Sequence, residues 1–292
     1  LQATSHIHQR YLQFIKMTSS GKKIGFEYLE DFQMLNEIGY NLSRKFNGLN
    51  VDDIIKTKST HLLAKIIDNC FSLLKLIPES NLDKFKDGYL DFHSTLSLIR
   101  NIIEQANNHW YLIVDNTSKE ETDLKFFLFD YHDTLSLELI GTNLFFNEET
   151  IKFLNDQKVE LKLAIENNKV FKSLDKNQQK MILKGKKSSL LTQFEIIEKR
   201  GIELEEFKSY YKLMSTSTHS SPTALKILAF KNINDEKNAN ELTDGLLFMS
   251  LYYCCFFLSD LIKSTSKLWG LEFSNKKAEE IIEKYSWKKI CR

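Results

Sequence analysis

The chain has 292 residues, 42% of them hydrophobic and 27% charged, so it is long and apolar enough to bury a core and is not a disordered tail. Forty basic and 39 acidic residues leave a formal net charge of +1, which excludes a general attraction to nucleic acid or acidic membrane. Ten Gly and two Pro are too few for the turns of a sandwich or barrel, so the sequence predicts an all-α protein, with 21 Phe and 11 Tyr to fill its core.

In chain order, Ile7, Tyr11, Phe14 and Ile15 share one side of a helix over residues 1–18, which Gly21 and Gly25 are expected to break. A second helix is expected over 27–46. Asp52, or a Ser near 59, starts a third. In it Leu62, Leu63, Ile66, Ile67, Cys70, Leu73 and Leu74 recur at helical spacing, and Pro78 ends it because proline cannot continue the backbone ladder. The next helix runs from about Tyr89 to Val114, with Leu96, Ile99, Ile103 and Trp110 on its apolar face. Thr117 or Ser118 caps another, with Glu120 and Glu121 in the dipole-favoured first turn, running toward Gly141. Asn147 opens a charged, exposed helix to about Phe171, and 175–201 reads as two short helices joined near Gly185. Residues 203–219 form a helix closed by Ser220-Ser221-Pro222, followed by a short piece over 223–231. A long apolar helix over 239–269 and a charged one over 275–287 complete the chain. The architecture expected is a single domain, 1–292: a multi-helix bundle around a central apolar helix. The polar segment 141–200 projects from it as a charged helical insertion.

Residues 245–259 carry no charge, yet Asp244 and Asp260 bracket them more closely than the about 18–20 apolar residues of a bilayer span. A buried core helix is therefore expected, not a membrane span. Cys70, Cys254, Cys255 and Cys291 form no C-x-x-C pair, so neither a zinc site nor a disulfide framework is expected, and free cysteines in apolar runs fit a reducing cytoplasm. Residues 1–20 lack the charged-then-apolar order of a signal peptide. A composition heavy in Lys, Asn, Ile and Phe fits a low-GC bacterial source.

The lysines at 180, 184, 186 and 187, next to Lys176, are read as a solvated helix end with cations near the C-terminal dipole, with a local basic patch as the other reading. Asp130-Tyr131-His132-Asp133 has no helical His or Glu partner nearby, and no metal is expected. No Gly-rich phosphate loop, nucleophile elbow or dinucleotide fingerprint occurs, so no cofactor is expected.

Two constellations can carry chemistry. Arg100 and Glu104 lie four residues apart on one helix face, and steps of seven and eleven from Arg100 add Asn107 and Tyr111 to the same stripe. Their apolar flanks turn the stripe inward, where it is either a satisfied core pair or a polar cleft. Later, Tyr211, Ser215 and His219 also fall four apart, and a hydroxyl beside an imidazole suits nucleophilic or general-base work. The plainer reading of His219 is a cation at a helix C-terminus. If the two helices pack together, His219 meets Glu104, and Arg100 stabilises an anion beside them. His109, beside Trp110, is a core or cleft histidine.

Arg100-x-x-x-Glu104 after an apolar run, then Tyr211-x-x-x-Ser215-x-x-x-His219 closing a helix, then an apolar helix, resembles the bacterial family of unknown function DUF5677 over roughly residues 60–265. That family is similar in style to the wider group of HEPN-like helical proteins, many of them RNases or toxins in phage defence. The resemblance implies a helical bundle and a role in defence, and no established reaction. The HEPN RNase motif places His four to six residues after Arg. Here Arg100 is followed by Asn101, as that motif prefers, but Gln105, Ala106 and Asn107 occupy the fitting positions and His109 comes too late.

The sequence thus supports two functional expectations. In the first, the chain cleaves RNA or a nucleotide without a metal: His219 is the base or acid, Arg100 holds phosphate, Glu104 and Ser215 orient them, and Tyr211, Asn107 and Tyr111 bind substrate. In the second, it is a non-catalytic helical module binding a protein partner or small ligand, with its contact surfaces on the charged helices at 147–171 and 274–289.

Overall fold

The structure, a computed structural model, describes residues 20–49, 51–77, 91–144, 146–218, 236–273 and 275–286. The expected helix at 1–18 and the short piece at 223–231 lie outside the described residues. Every regular element among them is helical: α1 Ser20–Lys45, α2 Ile54–Leu76, α3 Phe92–His109, α4 Lys119–Asn143, α5 Glu148–Asn167, α6 Lys169–Ser173, α7 Lys176–Leu183, α8 Gln193–Lys199, α9 Leu204–Thr218, α10 Glu236–Leu268 and α11 Lys276–Lys284. The all-α fold therefore stands.

Local chemistry accounts for the helix ends. Asp53, one residue after the expected Asp52, caps α2 by accepting from the backbone N–H groups of Ile55 (2.9 Å) and Lys56 (3.2 Å). Ser59 does not start that helix; it is buried within it. α2 stops at Leu76, and Ile77 takes the extended conformation (φ −91°, ψ 120°) that a residue preceding proline prefers. Asp91, Ser118, Asn147 and Asn275 cap α3, α4, α5 and α11 in the same way. Three boundaries differ from expectation. Gly21 and Gly25 lie inside α1, since glycine costs a helix only about 1 kcal/mol and does not break it. The charged helix ends at Asn167, because the Asn168 side chain accepts from Val170 and Phe171 N–H and starts α6. α3 ends at His109 and gives way to a π-helical turn, Trp110–Val114.

The chain's contacts divide into two compact units, residues 1–110 with 201–292, and residues 111–200. In the first, α10 is the central helix and packs against α1, α2, α3 and α11, while α9 packs on α3. Leu251, Cys254, Phe257, Leu258 and Ile262 of α10 are fully buried. Each large apolar side chain so buried contributes about 1.5–3 kcal/mol. The stretch Gly245–Leu268 is long and apolar enough to cross a membrane, and 78% of its most apolar window is buried inside the protein. Gly39 lets α1 approach closely, since a Cβ there would collide with Ile67 of α2 and press on Ile262 of α10. Cys70, Cys254 and Cys255 are buried free thiols, and burial pushes all three well above the usual thiol range. Because the thiolate is the reactive form, these three are expected not to react with Ellman's reagent in the native protein and to react in 6 M guanidinium. Modification of any of the three without unfolding, located by peptide mapping, would contradict the burial.

The second unit is built on α4, packed by α5 and α6. Leu124, Leu128, Tyr131, Ile165, Phe171 and Ile182 make its core. The expected insertion spans 141–200; contacts group α4 with that segment, so the compact unit spans Tyr111–Arg200. Gly185 adopts φ +67°, and a Cβ there would strike Leu135, so glycine both turns the chain after α7 and lets it close on α4.

Candidate functional site

A polar node of the first unit joins α3 to α9. Arg100 Nε donates to Glu104 Oε1 at 2.7 Å, one turn along α3. From α9 the Tyr211 hydroxyl donates a short hydrogen bond to the same carboxylate oxygen, and the Arg100 guanidinium lies 5.0 Å from the Tyr211 ring centroid. The Arg100 and Glu104 side chains are 24% and 28% exposed, so the node is neither sealed nor free in solvent. A half-exposed pair of this kind adds about 0.2–1 kcal/mol of stability, well below what a dry pair would be asked to supply. Glu104 engages Arg100 through Nε, and the Tyr211 hydroxyl also lies within hydrogen-bond reach of this guanidinium. Burial alone would lower the Arg100 pKa, but the hydrogen bond and charge of Glu104 offset this and raise it overall. Burial, then the bond to Glu104, pushes the Tyr211 phenol up to about 12.

Packing orders the rest of this face. Ser97 Oγ lies 3.4 Å from Thr218 Oγ1 at the end of α9, while Glu104 meets Tyr211 near its middle, so the two helices run antiparallel. The hydroxyl of Ser215 donates to the Tyr211 carbonyl at 2.8 Å, its own helix's backbone, one turn beyond the node. His219 lies outside the described residues. Asn107 is wholly buried, in the interior and not on the half-exposed face. Tyr111 leaves the stripe altogether: counting eleven from Arg100 assumes unbroken α geometry, and the π turn at Trp110–Val114 breaks it. Its hydroxyl instead accepts from Leu190 N–H at 3.1 Å in the second unit.

Three further polar groupings join residues that the sequence did not pair. His109 Nε2 lies 3.0 Å from Ser59 Oγ and 3.2 Å from Thr265 Oγ1, with all three residues at most 1% exposed, so this histidine belongs to the core and ties α3 to α2 and α10. In the second unit Asp115 accepts from Lys125 at 2.7 Å and Lys199 at 2.8 Å, and buried Lys125 also donates to the Tyr111 carbonyl and sits over its ring. His93 stands seven residues before Arg100 on the same face of α3, and both its ring nitrogens are buried without a hydrogen-bond partner among the described residues. Only His93 had a readable signal, its heptad spacing from Arg100. The residues of the other two are too far apart in sequence. In the Asp130–Asp133 segment His132 and Asp133 are exposed, and Tyr131 turns inward to donate to the Leu183 carbonyl. Among the described residues no group of three His, Cys, Asp or Glu side chains could hold a metal ion.

These features define an all-α protein with a half-exposed Arg–Glu–Tyr node between two antiparallel helices. Residues 60–239, which contain both helices, match the family of unknown function DUF5677, and the chain belongs to that family. No curated protein and no solved structure matches it.

Proposed function

We propose that the chain is a defence- or toxin-type helical protein of the bacterial cytoplasm that binds and cleaves RNA or a related phosphodiester without a metal. The observation that supports this reading most is the Arg100 guanidinium. It is held at Nε by Glu104, flanked by the Tyr211 ring, and 24% exposed, so an anion can approach it from solvent. A planar fork so oriented suits two phosphate oxygens and costs little further ordering. In RNA the 2′-hydroxyl oxygen attacks the adjacent phosphorus, the P–O5′ bond breaks, and a 2′,3′-cyclic phosphate and a 5′-hydroxyl result. One proton leaves the 2′-hydroxyl for a base and another reaches the departing O5′. Arg100 balances the charge gathering on the phosphoryl oxygens. The base that the sequence offers is His219, the next residue of the chain after Thr218.

Purified Arg100→Met is expected to cleave an RNA pool about 10²–10³ times more slowly than the parent, the loss typical of removing one preorganised donor. His219→Ala is expected to fall similarly, and both should keep the parent's helical circular dichroism. Equal cleavage by parent and Arg100→Met, or none by the parent, would remove this reading.

A second reading, a non-catalytic module binding a small ligand, draws on a separate observation. A groove of about 530 Å³ in the first unit is lined by Met34, Ile38, Leu42, Ser266, Leu271 and Phe273, among others. That volume is within the ligand range, and Ser266 Oγ is buried there without a partner among the described residues. Arg100, Glu104 and Tyr211 take no part in it. Under this reading the Arg–Glu–Tyr node only locks α3 to α9, and Arg100→Met lowers stability while ligand binding is unchanged.

A further inference from the structure

We propose that the lysine-rich stretch around α7 is a docking surface for the phosphate backbone of a single-stranded nucleic acid. The inference deepens the RNA reading by giving the substrate a capture surface, and it stands on observations of its own.

Residues 169–187 contain seven lysines and one acid, Asp175, in a chain whose formal net charge is only +1. Charge is therefore segregated here. Asp175 is already engaged as the cap of α7, accepting from Asn177 and Gln178 N–H, both at 2.9 Å. Lys172, Lys176, Lys180, Lys184 and Lys186 are exposed, and none is ion-paired with a carboxylate among the described residues. Elsewhere in this unit Lys125 and Lys199 are held by Asp115 and Lys158 by Glu138, while Lys119, Lys152 and Lys162 are exposed but scattered along α4 and α5.

The dipole explanation covers only part of this set. Lys180 and Lys184 lie at the C-terminal end of α7, where a cation is favoured. Lys176 is the first residue of that helix, where the dipole opposes a cation, and Lys172 and Lys186 lie outside it. Lys176, Lys180 and Lys184 recur every four residues, so they share one face and stand about 6 Å apart along the axis. That step is of the order of one nucleotide of an extended strand. After α7, Gly185 at φ +67° reverses the chain, with Lys186 N–H donating to the Met181 carbonyl at 3.0 Å, which returns Lys186 and Lys187 toward the end of the same helix. A row of point charges on flexible stems reads phosphates and not bases, so the expected partner is bound with little sequence preference.

The test measures binding and cleavage separately. A fluorescein-labelled 20-nucleotide oligouridylate is titrated by anisotropy against the parent and against Lys176→Gln/Lys180→Gln/Lys184→Gln, from 50 to 200 mM salt. The control is Lys119→Gln/Lys152→Gln/Lys162→Gln, which removes the same charge from other exposed sites of the second unit. The parent is expected to bind with an affinity that falls as salt rises. The α7 variant should bind roughly tenfold or more weakly at 50 mM, with the slope of log K against log salt reduced by about 2, since each phosphate contact on a single strand contributes about 0.7. The control should stay within about twofold of the parent. Parental binding by the α7 variant, equal weakening by the control, or parental binding to phosphatidylserine vesicles but not to the oligonucleotide would each overturn the proposal. An oligonucleotide bound through α7 but never cleaved removes the RNase reading and leaves the docking surface. Cleavage at saturating RNA with α7-independent binding does the reverse.

Discussion

Asp115→Ala is expected to destabilise the protein by about 3–5 kcal/mol, the cost of stranding a buried charge. The Lys125 side chain is 1% exposed and the Asp115 side chain 5%, so water cannot take over the carboxylate's role. Removing Asp115 would leave the ammonium with the Tyr111 carbonyl, 3.2 Å away, and the face of the Tyr111 ring. Those contacts replace only part of the ion pair. Lys199, 42% exposed, would simply return to solvent. The companion variant Asp115→Leu/Lys125→Met removes both charges and should fall within about 1 kcal/mol of the parent or exceed it, because apolar side chains of similar size carry no desolvation cost. Urea unfolding followed by far-ultraviolet circular dichroism measures both. A loss below about 1 kcal/mol for Asp115→Ala would mean that Lys125 is not the buried cation described here.

His109→Ala is expected to cost about 2–4 kcal/mol, adding a cavity to polar groups deprived of their partner. Ser59 and Thr265 would then face an emptied space between α2 and α10. They can still reach each other, at 3.4 Å, which keeps the loss below that of stranding both. The triple change Ser59→Ala/His109→Leu/Thr265→Val replaces the polar cluster with apolar groups and should recover most of the loss, because unmade hydrogen bonds cost more than absent ones. If the triple variant is less stable than His109→Ala alone, the cluster contributes more than mutual satisfaction. RNA cleavage by the triple variant separates a core role from a functional one, since a core histidine leaves the rate unchanged when the fold is kept.

What was readable in the chain followed local rules. Ser118, Asn147 and Asn275 cap helices because a side-chain oxygen can satisfy a free N–H within three residues, a relation carried by adjacent sequence alone. The apolar repeat of α2 and the uncharged run of α10 mark buried faces because helical period ties spacing to direction. The same rule paired Arg100 with Glu104, and the four-residue step placed Tyr211 and Ser215 on one side of α9. That Tyr211 and Glu104, 107 residues apart, share a hydrogen bond was not readable: the sequence set Glu104 against His219, and only if the two helices pack face to face.

By itself, then, the sequence determined an all-helical chain, its capped helix starts, the central apolar helix and the Arg100–Glu104 pair, since each depends on interactions within a turn or two of helix. Only the tertiary structure decided that α4 belongs with the 111–200 unit, that Tyr111 leaves the Arg100 stripe at a π turn, that His109 is sealed between Ser59 and Thr265, and that Asp115 holds two lysines. These depend on which helix faces meet and on where a helix loses α geometry, and both are settled by packing between residues far apart in the chain.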